Sequence, residues 1–133
     1  MGSPSLRSPV YRTYARRMLV LIVDDDERVL RALVRALKRS PVHVITATSG
    51  EYALELIARD GVPSLVICDY QLPGMDGLSF LATVRLEHPE VRLVLSTGTS
   101  KSPAPGSGIG LLPKPVDAAA LSELIASLLA PRA

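Results

Sequence analysis

The chain has 133 residues, 47% of them hydrophobic, a single cysteine and a formal net charge of +2. That size suits one domain with its own core, and the apolar share excludes a disordered ground state. No apolar stretch reaches the roughly 18–20 residues that cross a bilayer, and no h-region with a cleavage site follows the basic N-terminus, so neither a membrane span nor secretion is expected.

Cys68 lies inside an apolar run and has no second cysteine to pair with, which suits a reducing cytoplasm. The net charge is unevenly spread. Arg7, Arg12, Arg16 and Arg17 precede Met18, where there is no acid, so residues 18–133 hold eleven basic against thirteen acidic residues, a net of −2. Residues 1–17 are therefore read as a basic N-terminal tail or linker, residues 18–130 as one domain, and 131–133 as the C-terminal end. The basic character belongs to the tail, so nucleic-acid binding by the domain itself is not expected.

Apolar runs alternate with helical patterns, as in a parallel sheet covered on both faces. Residues 18–23 form the first run. In residues 26–39, Val29, Leu30, Leu33, Val34 and Leu37 recur at helical spacing, with Arg28, Arg31, Arg35 and Lys38 on the other face. Pro41 stops that helix, and residues 42–47 read as a second strand. Ser49-Gly50 opens a second helix over 51–59, which Gly61 and Pro63 end. Residues 65–69 are apolar until Asp69, as expected of a central strand. Turn chemistry follows from Gln71 to Gly77, then a helix over 78–87 and a strand over 91–96. Residues 109–113 make a short fifth strand and 118–129 a final helix.

If these runs are parallel strands, their C-terminal ends gather Asp24, Asp25, Asp26, Asp69, Thr97 and Lys114 at one sheet edge, where open α/β sheets bind ligands. Acids alone repel one another, so the cluster implies a divalent cation; a nearby lysine and hydroxyl imply a phosphoryl group. Taken singly, the acids at 24–26 could cap a helix, and Asp26 is assigned to that role or to solvent. Asp76 and Gly77 are read as shaping the loop and starting the third helix, and Cys68 as a small buried hydrophobe. His43 and His88 are given surface or packing roles.

These residues resemble a known family, the receiver domain of two-component response regulators. The motifs are Leu21-Ile22-Val23-Asp24-Asp25-Asp26, Val66-Ile67-Cys68-Asp69 with Pro73-Gly74-Met75-Asp76-Gly77, Ser96-Thr97-Gly98, and Lys114-Pro115. The resemblance implies a flavodoxin-like α/β fold, doubly wound, with five parallel strands in the order 2-1-3-4-5. It also implies that Asp69 accepts a phosphoryl group from a histidine kinase or histidine phosphotransfer protein. Mg²⁺ would be held by Asp25, Asp69, the backbone carbonyl of Gln71 and, mostly through water, Asp24. Thr97 and Lys114 would contact the phosphoryl group, and the Lys114–Pro115 bond would be cis. Such a module catalyses its own phosphorylation and dephosphorylation without being a conventional turnover enzyme. A downstream effector protein is a further expected partner; a membrane is not.

Two departures from the pattern stand out. Only 16 residues separate Thr97 from Lys114, and residues 98–108 hold two prolines and three glycines without apolar periodicity. The fourth of the family's five helices is therefore expected to be missing or reduced to a turn. The family's aromatic three residues before the lysine is Leu111 here, which removes the usual coupling from threonine to aromatic. The main alternative is a receiver-like protein-binding module that works without phosphorylation. A dehalogenase-like phosphatase is disfavoured because Gln71 stands where its second acid belongs, and a flavin-binding flavodoxin because Asp24–Asp26 would repel the flavin phosphate.

Overall fold

A computed structural model describes residues 18–98, 102–103 and 105–129. Its elements in chain order are β1 (Met18–Val23), α1 (Glu27–Ala36), β2 (Val42–Ala47), α2 (Gly50–Asp60), β3 (Leu65–Asp69), α3 (Gly77–Glu87), β4 (Arg92–Thr97), β5 (Ile109–Pro113) and α4 (Ala118–Leu129). The strands form one sheet in the order β2-β1-β3-β4-β5, every neighbouring pair parallel. The expected boundaries at 1–17 and at 131–133 lie outside the described residues.

Strand alternation sorts the apolar residues into two cores. Leu21, Val23, Val66, Cys68, Leu93 and Leu95 point to the face covered by α2 and α3, where Phe80 is fully buried. Val20, Ile22, Leu65, Ile67, Val94 and Leu112 point to the opposite face, under α1 and α4. With both faces covered, the central strands need apolar side chains at every position, which is why β3 shows no alternation until its last residue.

Short polar side chains begin the helices. Asp26 accepts a hydrogen bond from the Arg28 amide at 2.9 Å, Ser49 from Tyr52 at 3.1 Å, and Asp76 from Ser79 at 2.9 Å. Each satisfies a backbone donor that the first helical turn leaves without a partner. Several helix bounds differ from the expected ones. α1 ends at Ala36, because Leu37, Lys38 and Ser40 close tight turns through their amides. α2 and α3 each start one residue earlier, on Gly50 and Gly77 directly after their caps.

The β4–β5 connection differs from the other crossovers. Gly98, Ser102, Pro103 and residues 105–108 hold bends, turns and irregular backbone, while 99–101 and 104 lie outside the described residues. Gly106 and Gly108 adopt φ of +78° and +76°, a left-handed backbone that suits glycine. The Arg85 guanidinium on α3 donates a 2.6 Å hydrogen bond to the Ser107 carbonyl, tying this turn to the helix below it.

Candidate functional site

Strand register assembles the site. Val23 pairs with Ala47 and Cys68, Asp69 with Ser96, and Thr97 with Pro113, so the residues that end or follow these strands meet at one sheet edge. The Asp24 amide continues the ladder by donating to Ala47, the Tyr70 amide to Ser96, and the Lys114 amide to Thr97. The backbone thus carries Asp24, Asp69, Thr97 and Lys114 to the edge before any side chain contributes.

The side chains then converge. Asp24, Asp25 and Asp69 each offer a carboxylate oxygen, and these oxygens lie within 4.8 Å of one another. Asp24 and Asp69 are buried; Asp25 is exposed. The Lys114 ammonium sits 2.9 Å from Asp24 Oδ2 and 3.3 Å from Asp69 Oδ1. The other Asp24 oxygen accepts from the Asp26 amide at 2.9 Å. Asp24 is therefore engaged at both oxygens, while Asp25 and Asp69 turn the freer carboxylates toward the cluster. Asp26 turns away to cap α1.

Electrostatics follow from this crowding. Burial pushes the Asp69 carboxyl above its ordinary value and the charge of Asp24 adds to the push; Lys114 and a backbone hydrogen bond from Gln71 oppose without cancelling it. For Lys114, burial disfavours the ammonium, but hydrogen bonding to and the charge of Asp24, then Asp69, outweigh it and raise the pKa. Three carboxylates against one ammonium leave a surplus of about two negative charges when all ionise. An all-oxygen donor set of that charge fits a hard divalent cation such as Mg²⁺ better than a soft one.

Thr97 is buried at the end of β4, one position past the register partner of Asp69. Gln71 is exposed beyond β3, and the Lys114–Pro115 bond is cis. Cys68 is fully buried; burial, then the neighbouring Asp69 charge, push its thiol up, and it donates a hydrogen bond to the Asp69 carbonyl at 3.3 Å.

Two features were not foreseen from the residue order. One is that Lys114 pairs most closely with Asp24, ninety positions away. The other is the position of Gly77 against the backbone of Asp69. Its amide donates to the Tyr70 carbonyl at 2.9 Å, and a Cβ there would strike the Asp69 carbonyl oxygen. A glycine directly after a capping aspartate was the available signal for that close approach.

Residues 20–126 match the response regulator receiver domain. The chain belongs to this family. It is 34% identical over 107 residues to the DNA-binding transcriptional regulator NtrC of Escherichia coli K12, a match covering 77% of this chain and 23% of that protein. It is 32% identical over 117 residues to the sensor kinase CckA of Brucella abortus, covering 83% and 12%. The chain thus spans less than a quarter of the length of these curated relatives. Among solved structures, the signal receiver domain of an HD domain-containing protein from Pseudomonas fluorescens Pf-5 superposes with a TM-score of 0.77 at 32% identity, covering 86% of this chain and 95% of that one. A CheY-like receiver domain from Methanospirillum hungatei JF-1 also gives 0.77, at 25% identity, covering 85% and 94%. The expected fold and strand order agree with these relatives. No helix among the described residues is long and apolar enough to cross a membrane.

Proposed function

We propose that this receiver accepts a phosphoryl group on Asp69 from a phosphohistidine of a histidine kinase or histidine phosphotransfer protein. The observation that carries the reading is the Lys114 ammonium standing between Asp24 and Asp69, at 2.9 and 3.3 Å, with Asp25 beside them. Relatives that include both a sensor kinase and transcriptional regulators support a role in two-component signalling.

In the transfer, an Asp69 oxygen attacks phosphorus, the phosphorus–nitrogen bond of the donor breaks, and the electron pair returns to the imidazole nitrogen. An acyl phosphate results. The transition state spreads negative charge over the transferring oxygens, so catalysis is mostly positioning and charge neutralisation. Lys114 can leave Asp69 for a phosphoryl oxygen while keeping its bond to Asp24. Thr97, at the end of β4, is assigned to hydrogen-bond that group once it is in place. Asp25, Asp69 and the Gln71 carbonyl would hold Mg²⁺, with Asp24 acting mostly through water because Lys114 and the Asp26 amide already occupy its oxygens. When bound, the ion supplies the remaining positive charge. Hydrolysis of the acyl phosphate returns Asp69 and releases phosphate.

We also infer that the family's fourth helix is missing or reduced to a turn in the β4–β5 connection. Its described residues lack helical backbone, and its prolines and glycines disfavour one. The Arg85–Ser107 tie would fix the turn in place of helix packing.

The test is incorporation from acetyl phosphate, with and without Mg²⁺, followed by intact-mass spectrometry. The chain should gain a single phosphoryl group only with Mg²⁺, and Asp69→Asn should gain none. Because burial and Asp24 make the ionised Asp69 costly, the same substitution should raise the melting temperature in metal-free buffer at neutral pH. Labelling that survives Asp69→Asn would place the phosphoryl group elsewhere and sink the proposal.

A further inference from the structure

The ten residues of α1 cover β1 but leave a furrow between the helix and the edge strand β2, with a volume of about 560 Å³. Its floor is apolar: Val42 and Val44 lie half-buried beside Leu37. Its rim is formed by Arg31, Val34 and Arg35 on α1, whose spacing of three and four residues puts them on one stripe, and by Lys38 in the turn that follows the helix. Val34, in the middle of that row, is 40% exposed.

The charge of the rim is of one sign. Among the described residues no ion pair involves Arg31, Arg35 or Lys38. The β2 positions that face α1 are Val42, Val44 and Thr46, and none is acidic. At the Arg31 end, toward the acid cluster, Asp25, Asp26 and Glu27 line the adjoining hollow with it. Arg31 and Arg35, four residues apart on the helix, repel one another, while Glu27 four residues before Arg31 and the helix C-terminus beside Arg35 act in favour of the cations. An opposing row of carboxylates would relieve the repulsion.

We infer that the α1–β2 furrow is a docking site for an acidic amphipathic segment of a protein partner. Its apolar side chains would lie on Val42 and Val44, and its carboxylates would meet Arg31, Arg35 and Lys38. The rim spans about 10 Å along the helix and the turn after it, which suits about two turns of a partner helix. Charge complementarity selects the acidic partner, and the apolar floor selects a protein over nucleic acid. A phosphate backbone has nothing to place on the valines, and Val34 interrupts the cations where a phosphate track would want another. This site is separate from Asp69 and is filled or empty whether or not the chain is phosphorylated.

The experiment uses the full unphosphorylated chain and a fluorescein-labelled 14-residue helical peptide with leucines at one helical stripe and glutamates elsewhere. The controls are a peptide of the same composition with the stripe scrambled, one with lysine replacing glutamate, and a labelled DNA duplex of matching length. Anisotropy should show binding of the striped acidic peptide alone. Arg35→Glu combined with Lys38→Glu should weaken it at least tenfold, and so should Val34→Asp, while acetyl phosphate labelling of both variants stays unchanged as a check on folding. Amide shifts on adding the peptide should centre on residues 30–38 and 42–46. Equal binding of the scrambled peptide or the duplex, affinity untouched by the variants, shifts elsewhere, or no binding up to millimolar peptide would each overturn the inference.

Discussion

β3 and β5 each deliver one residue to the site, and the protein holds them in opposite ways. Every residue of β3 is buried, with strands on both sides and helices on both faces. In β5, at the sheet edge, Gly110, Leu111 and Pro113 are exposed, and only Leu112 is buried. Asp69 is therefore positioned by the core. Lys114 is positioned by an edge strand, a backbone hydrogen bond to Thr97 and an ion pair with Asp24. Damage near β3 should thus appear first as lost stability, and damage near β5 as altered chemistry in a folded chain.

The largest expected effect lies under β3. Phe80 is fully buried in the core shared by α2, α3 and the central strands. Phe80→Ala removes a whole ring there and should cost about 3–5 kcal/mol in urea denaturation. A cost below about 1 kcal/mol would mean that this core does not hold β3 as described. Gly77→Ala comes next, at about 1–3 kcal/mol for forcing a methyl against backbone. The displaced group is the Asp69 carbonyl, so the rate of labelling from acetyl phosphate should fall as well. Wild-type stability with a wild-type rate would show that the loop gives way freely.

Lys114→Met tests the other side. It removes the charged partner of a buried Asp24 and should cost about 1–2 kcal/mol, with slower phosphoryl transfer in a chain that remains folded. Its pH dependence has a definite sign. A lysine whose folded pKa is raised contributes stability that is fully present below its ordinary value of 10.5 and is lost as pH rises through the higher folded value. The stability gap between wild type and variant should be level from pH 7 to 9 and close only above 10.5. A gap that closes near neutrality would assign the stabilisation to some other group.

The same contrast governs what could be read from the residue order. β3 was legible because burial on both faces forces a continuous apolar run, and its acid announces the end. The caps were legible because Asp26 and Ser49 are types that favour a helix start. The acid–lysine constellation was legible as a set, since each member closes or follows an apolar run. What was not legible is tertiary. Nothing local to Asp24 says that Lys114 rather than a nearer cation reaches it, and nothing local to Arg85 points to Ser107. Gly77 looked like turn chemistry because the backbone it touches lies across a loop rather than in its own helix.

Leu111 carries the smallest and most discriminating prediction. It stands three residues before Lys114 and is 47% exposed, while its neighbour Leu112 points the opposite way into the core under α4. Where a crossover helix covers this flank, truncating such a leucine would open a cavity and cost several kcal/mol. Where only the Arg85-tethered turn lies nearby, Leu111→Ala should change stability by no more than about 0.5 kcal/mol. Denaturation of that one variant therefore measures how much of the β5 flank the connection covers. A cost of about 2 kcal/mol or more would require cover over Leu111 beyond that turn, and would make β5 as enclosed as β3.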